Sequence, residues 1–191
     1  SLPNNLFQLI SNVASCSPYL RDLIIKENYW LKRIINKELS EISEDIGKLC
    51  ISSSYNNLYY KLRIAKRRTI LLIALSDLGG LWDLTHVTKA LSNFADLCLK
   101  VGLDHLTYRE FNWNLHSNFF LNNKLFPRCI SGSAEKVGLV STAMGKMGSN
   151  ELNYSSDIDL IFFFDESIFK PYFYREVREI FIKIIRKLAK I

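Results

Sequence analysis

The sequence predicts an α+β fold that is mostly helical. A helical domain over residues 1–125 is followed by the first part of a mixed sheet over residues 126–191. Three observations predict this. Apolar residues recur at helical spacing as far as Leu121. Asn122-Asn123 and Pro127 then mark a linker. Strand-like runs of small and β-branched residues begin only after Ser131.

Pro3 stands at a helix start, with Leu6, Leu9, Ile10 and Val13 as its apolar stripe. Ser17-Pro18 reads as a cap followed by a first-turn proline, with Leu20, Leu23 and Ile24 behind it. Asn28 is a candidate cap for a third helix carrying Trp30, Leu31, Ile34 and Ile35. Residues 40–54 are polar, contain Gly47 and five serines, and read as a loop. A long helix is expected from Tyr55 to about Leu78, stopped by Gly79-Gly80. Lys61, Arg63, Lys66, Arg67 and Arg68 crowd its middle. A solvated helix face is the preferred reading of that cluster, with contact to phosphate or an acidic partner as the alternative. Asp83 or Thr85 caps the next helix, whose apolar positions Val87, Leu91, Phe94, Ala95, Cys98 and Val101 close at Gly102. Thr107-x-x-Glu110 is a candidate capping box for a helix to about Leu121. Trp113 and Phe119-Phe120 are assigned to the core. Pro171 opens a last helix with Phe173, Val177, Ile180, Phe181, Ile184, Ile185 and Leu188 on one face. Its other face carries Arg175, Arg178, Lys183, Arg186, Lys187 and Lys190.

The chemistry concentrates between two expected strands, Val137–Ala143 and Ile158–Phe164. A Gly148-Ser149 step follows the first, and seven residues later comes Asp157-Ile158-Asp159. Side chains alternate along a strand, so Asp157 and Asp159 are expected on one side, with Ile158, Leu160 and Phe162 anchoring the other. Two adjacent carboxylates repel each other, and a divalent cation relieves that repulsion. Magnesium suits such a pair because it takes hard oxygen ligands and shares them with substrate phosphates. Glycine lets backbone N–H groups approach a phosphate, and the Ser149 hydroxyl can add a bond. Lys146, just before the turn, either touches phosphate or snorkels from it. Glu151 is a metal ligand by type, with tying down local backbone at a helix start as the preferred role. Asp-x-Asp and Gly-Ser are each common by themselves. Together, flanked by apolar strands, they suit phosphoryl or nucleotidyl transfer.

The stretch G-K-M-G-S-N-E-L-N-Y-S-S-D-I-D-L-I, residues 145–161, resembles the bifunctional glutamine synthetase adenylyltransferase/adenylyl-removing enzyme family, within the nucleotidyltransferase superfamily. S-C-S-P-Y-L-R at residues 15–21 and I-A-L-S-D-L at residues 73–78 extend the resemblance from Ser15 to Asp165. Leu152-Asn153-Tyr154 and Ile158 match the first of that family's two catalytic copies, the one that removes AMP. The resemblance implies that Asp157 and Asp159 are catalytic and hold Mg2+ or Mn2+, and that Gly148, Ser149 and Lys146 meet phosphate or nucleotide. ATP, ADP and phosphate would be substrates or products. Glutamine synthetase, and a PII-type signal protein for the full-length parent, would be the protein partners. Ser149 departs from the small residue the family often has there, a conservative change for a phosphate turn. The superfamily's third carboxylate comes from a later strand, and no D-L-R-L-R-P-like string occurs here. The chain therefore reads as a truncated piece, inactive alone, of an enzyme. The alternative is a non-catalytic interaction module with a vestigial site.

Composition sets bounds on these readings. At 48% hydrophobic and 23% charged residues, the chain has ordinary globular usage. A net charge of +6 suits phosphate, nucleotide or an acidic protein. A nucleic-acid role would explain the charge but not residues 151–156 or 73–78. No apolar run is long enough to span a bilayer, no secretory signal is evident, and no membrane partner is expected. Cys16, Cys50, Cys98 and Cys129 lack C-x-x-C spacing and read as thiols of a reducing, cytoplasmic compartment.

Overall fold

The structure, a computed structural model, describes residues 4–51, 57–113, 116–122 and 129–190. Pro3, Tyr55, Asn123 and Pro127, given roles above, lie outside the described residues. The chain groups into two compact units. One holds the residues up to Ala95 together with Asn150–Asp157, and the other holds Asp96–Ser149 and the chain from Ile158.

The first unit is built of α1 (Asn4–Cys16), α2 (Pro18–Lys26), α3 (Asn28–Ile34), α4 (Leu39–Ile51), α5 (Leu58–Leu78) and the start of α6 (Leu84–Trp113). Ser17 caps α2 as expected: its Oγ accepts the Leu20 N–H at 3.2 Å. Asn28 caps nothing. It is the first residue of α3, and its side-chain amide donates to the Ile25 carbonyl at 2.6 Å. Residues 40–51 are helix, not loop. They bury Ile42, Ile46 and Cys50, four residues apart, and α4 packs on α5. That packing overrides the weak helix propensity of Gly47 and the serines. Asp83 Oδ1 takes the His86 N–H at 2.9 Å and so caps α6.

The basic cluster of α5 divides. Glu27 is only 5% exposed and is held by Arg67 Nε at 2.8 Å on one oxygen and Arg68 Nε at 2.9 Å on the other. Arg68 also lies 5.2 Å from the centre of the Trp30 ring. A buried carboxylate needs such partners, and the flat guanidinium tolerates burial better than an ammonium. Arg63 and Lys66 remain exposed. The solvated-face reading therefore holds for these two and fails for Arg67 and Arg68.

Helix α6 does not close at Gly102. It runs on to Trp113, so Thr107 and Glu110 sit in its interior and form no capping box. Residues Val101–Thr107 are all buried. A helix buried on every side has no polar face against which a periodicity can be read. The two compact units divide within α6, at Ala95/Asp96. The helix expected to reach Leu121 is replaced by a short 3-10 turn, His116–Phe119.

In the second unit the end of α6 supplies the core. The Phe111 ring centre lies 5.6 Å from that of Phe120, 6.2 Å from Phe169 and 5.8 Å from Phe181. All four rings are fully buried. Such pairs add ~0.5–1.5 kcal/mol each beyond their buried area. The core assignment of Phe119-Phe120 thus holds. Phe120 also bridges Phe169, with Leu121 N–H on the Ile168 carbonyl at 2.9 Å. Asp104, buried on α6, accepts the Gly132 and Ala134 N–H groups at 3.0 Å each. It thereby fixes the turn into α7 (Ser133–Lys136). Next come β1 (Leu139–Met144), α8 (Gly145–Gly148), β2 (Asp159–Phe164), 3-10 turns at Glu166–Ile168 and Pro171–Phe173, and α9 (Tyr174–Leu188). The two strands are antiparallel, with Leu139 opposite Phe164 and Met144 opposite Asp159. Helix α9 buries Val177, Phe181 and Ile184, as its pattern predicts. The mostly helical α+β class with a small, partial sheet is what the sequence predicts. Among the described residues, no helix is long and apolar enough to cross a membrane.

Glu110, 5% exposed, receives Lys183 at 2.7 Å on one oxygen and Lys187 on the other. Burial pushes its pKa up, but the two ammonium groups outweigh burial and hold it below the usual glutamate range. A depressed folded pKa contributes stability that is fully present above the unfolded value, about 4.3. That stability is lost as pH falls through the folded value. Glu110→Gln is expected to cost about 1–3 kcal/mol at pH 7. Denaturant titrations of both proteins should show this difference shrinking below about pH 4.3. A constant difference down to pH 2 would rule the ion pair out as its cause.

Candidate active site

Backbone geometry brings the glycine turn and one carboxylate together. Gly145 begins α8 with φ +56°, a left-handed conformation that glycine adopts without strain. The turn folds back on β1 so closely that a Cβ on Gly148 would lie 2.6 Å from the Ala143 carbonyl oxygen. Glycine at 148 therefore has a packing reason of its own, independent of phosphate. The Ser149 N–H donates to the Gly145 carbonyl at 3.2 Å, and Ser149 Oγ donates to the same oxygen at 3.2 Å. Both donors close the turn. Lys146 is exposed, and its ammonium has no ion-pair partner among the described residues.

Asp159 is the first residue of β2, and its Oδ2 lies 3.5 Å from the position of a Cβ on Gly145. The carboxylate thus rests over Gly145, at a distance where an added Cβ would make only ordinary van der Waals contact. Asp159, Ile161 and Phe163 share one sheet face with Val140, Thr142 and Met144, and all six are exposed. Leu160, Phe162 and Phe164 share the more buried face with Leu139, Ser141 and Ala143. Two expectations change here. Ile158 is 47% exposed and does not anchor the strand. Asp157 precedes β2, so strand alternation does not orient it; it belongs to Asn150–Asp157, which groups with the first unit.

Both aspartates are exposed, and neither carboxylate has an ion-pair or hydrogen-bond partner among the described residues. Two hard oxygen ligands left unspent by the protein fit the donor set magnesium takes. No group of three His, Cys, Asp or Glu side chains that could hold a metal occurs among the described residues. Glu151 is exposed and lies in irregular chain, not at a helix start.

The segment from Asn150 to Asp157 is fastened within the first unit by groups that the sequence does not flag for the site. Leu152 is buried, and its N–H donates to Ser92 Oγ on α6 at 3.3 Å. Ser92 in turn donates to the Thr88 carbonyl at 2.9 Å. Tyr154 OH donates to Asp77 Oδ2 at 3.3 Å. Burial pushes the Tyr154 pKa up to about 12, helped by the Asp77 charge and that bond. In the sequence, Asp77 stands out only within the resemblance of residues 73–78, and Ser92 not at all. A lone serine in a helix carries no sequence signal of its own.

In the second unit, a cleft of about 350 Å3 is lined by Asp96, Lys100, Asp104, Glu135 and Ser141 with apolar neighbours. Its strand residues Leu139, Ser141 and Ala143 lie on the sheet face opposite Asp159. The cleft is therefore separate from the carboxylate and the glycine turn.

Comparison with known proteins follows the same residues. The family model for glutamate-ammonia ligase adenylyltransferase matches residues 7–190. A bifunctional glutamine synthetase adenylyltransferase/adenylyl-removing enzyme of Bradyrhizobium sp. strain BTAi1 is 34% identical over 188 residues, covering 96% of this chain and 18% of its own length. The like-named protein of Agrobacterium fabrum is 33% identical over 198 residues, with 97% and 19% covered. That of Bartonella henselae is 34% identical over 188 residues, with 95% and 18% covered. The chain thus spans under a fifth of the length of the curated relatives it matches. No solved structure matches.

Gly148→Ala places a methyl group against fixed backbone, so the turn must open. It is expected to destabilise the chain by about 1–3 kcal/mol. It should also speed amide exchange at Ser149, whose N–H closes the turn. Thermal unfolding with residue-resolved hydrogen exchange measures both, and wild-type exchange at Ser149 would contradict the packing argument.

Proposed function

This chain belongs to the glutamate-ammonia ligase adenylyltransferase family, and on that premise we propose that it is the N-terminal, AMP-removing part of such an enzyme. In the full-length parent, phosphate attacks the phosphorus of an adenylyl-tyrosine on glutamine synthetase. The new P–O bond gives ADP, the bond to the tyrosine oxygen breaks, and the phenolate takes up a proton. The reverse-type reaction, adenylyl transfer to the tyrosine, would draw on the same carboxylates.

The observation that carries this reading is the pair of exposed carboxylates that follows the glycine turn, unpartnered among the described residues, with Asp159 resting over Gly145. Asp157 and Asp159 would hold Mg2+, or Mn2+ in its place. The cation, when bound, supplies charge neutralisation and orientation for the phosphate oxygens. Lys146 brings to the same turn a positive charge with no ion-pair partner among the described residues, which favours an anionic ligand there. Gly148 and Ser149 keep the turn closed, so that bare backbone rather than side chain faces the ligand. Such chemistry depends on positioned charge, with little covalent help from protein groups. By family resemblance a third carboxylate comes from a later strand. Partner proteins of the parent would be glutamine synthetase and a PII-type signal protein.

In the full-length parent, Asp157→Asn and Asp159→Asn are each expected to lower kcat for ADP release from adenylylated glutamine synthetase by at least ~100-fold. Thermal stability should be unchanged or slightly raised, since like-charge repulsion falls. Phosphate-dependent ADP formation is the measurement. Wild-type rates in either variant would remove that aspartate from the metal site and favour an interaction module instead.

A further inference from the structure

We infer that Asn153, acting with Ser156, is a positioning residue that sets the backbone presenting Asp157 to its cation; this rests on the metal-binding reading of Asp157 above. Asn153 Oδ1 accepts three hydrogen bonds: from Ser155 N–H at 3.0 Å, Ser155 Oγ at 3.3 Å and Ser156 Oγ at 2.8 Å. Ser156 Oγ in turn accepts the Asn153 N–H at 3.0 Å. The Ser156 N–H reaches the Asn153 carbonyl at 3.3 Å. One exposed amide side chain thus gathers the next three residues into a closed turn.

The turn has fixed ends. Upstream, Leu152 is buried and its N–H is held by the fully buried Ser92, while Tyr154 is tied to Asp77. Downstream, the first residue after the network is Asp157, exposed and with its carboxylate uncommitted among the described residues. The hydrogen bonds therefore stop one residue short of the aspartate. That arrangement orders the backbone entering Asp157 and spends none of its oxygens. A carboxylate held in place before the cation arrives does not lose backbone freedom on binding, which favours affinity. Groups that orient metal ligands typically contribute 10- to 100-fold to metal affinity when removed.

The chain also suggests why the residue is Asn. An acceptor oxygen on a short stem reaches the N–H two residues on, and Ala offers none. Asp keeps that oxygen. Ser156 supplies a hydroxyl that both donates to Asn153 Oδ1 and accepts from Asn153 N–H, a pairing that Ala removes without disturbing Ser155.

The test uses the 191-residue chain and Mn2+ alone, with binding followed by water-proton relaxation and by amide exchange at Ser155–Asp157. Asn153→Ala is expected to weaken Mn2+ binding about tenfold and to speed exchange at these amides. Ser156→Ala should act in the same direction by a smaller factor, and Asn153→Asp should bind at least as well as wild type. Because one network is involved, the double variant Asn153→Ala/Ser156→Ala should cost less than the two single effects combined. Asp157→Asn is the control for the underlying reading. If it weakens binding while Asn153→Ala and Ser156→Ala bind like wild type, the positioning role is overturned and the metal site stands. If Asp157→Asn binds Mn2+ normally, the metal reading fails and the positioning role falls with it. Asn153→Asp losing affinity as Asn153→Ala does would also overturn it, since the acceptor oxygen would then be irrelevant. Far-UV circular dichroism confirms that each variant is folded, and Ser156→Ala, the milder change, keeps the question answerable if Asn153→Ala is not.

Discussion

A buried amide must find an acceptor, and that requirement governs where the segment after the glycine turn goes. Leu152 is carried into the apolar interior of the first unit, so its N–H loses water and has to be paired. Ser92 provides the oxygen and donates its own hydrogen bond to the Thr88 carbonyl. Leaving such a group unpaired would cost about 1–3 kcal/mol. With Leu152 fixed, the following residues have little freedom: Tyr154 meets Asp77, and Asn153 closes the turn that ends before Asp157. Short polar contacts at the surface are thereby organised from a single buried one.

The second unit is organised by a different constraint, the packing of four phenylalanine rings around the end of α6. A two-stranded sheet is marginal by itself. Here the Phe164 ring of β2 lies tilted 4.6 Å from that of Phe181 of α9, and Phe181 meets Phe111 of α6. The strands are thus held by helices on their more buried face. On the exposed face, Asp159 is left in water beside Met144 and over Gly145. Burial of one face and hydration of the other decide which of the strand's side chains can do chemistry.

Electrostatic pairs follow burial in both units. Glu27 and Glu110 are almost fully buried, and each is held by two cations. Asp157, Asp159 and Lys146 are exposed, and no ion pair engages them among the described residues. Among the described residues, the protein pairs the charges it buries and leaves these three exposed. The glycines are less diagnostic than the charges. Gly148 is required by the Ala143 carbonyl whether or not a phosphate ever sits there.

Local chemistry made much of this legible in advance. Ser17-Pro18, Gly79-Gly80, the Asp83 cap, the face of α9 and the Gly-Ser…Asp-x-Asp string all act within a few residues, so the sequence by itself determined them, along with the mostly helical class and the family resemblance. What depended on distant partners was hidden. The stripe of α4 at Ile42, Ile46 and Cys50 is decided by packing on α5, which overrides Gly47. The passage of α6 through Gly102 is decided by burial on all sides, which erases helical periodicity. Arg67 and Arg68 leave the solvated face because Glu27, forty residues away in the chain, is buried against them. Leu152 is held by Ser92, sixty residues away, and Asp157 lies ahead of β2, where strand alternation does not orient it. Only the tertiary structure could decide these, since burial and long-range pairing are properties of three-dimensional neighbours, and neighbours distant in sequence leave no mark on local spacing.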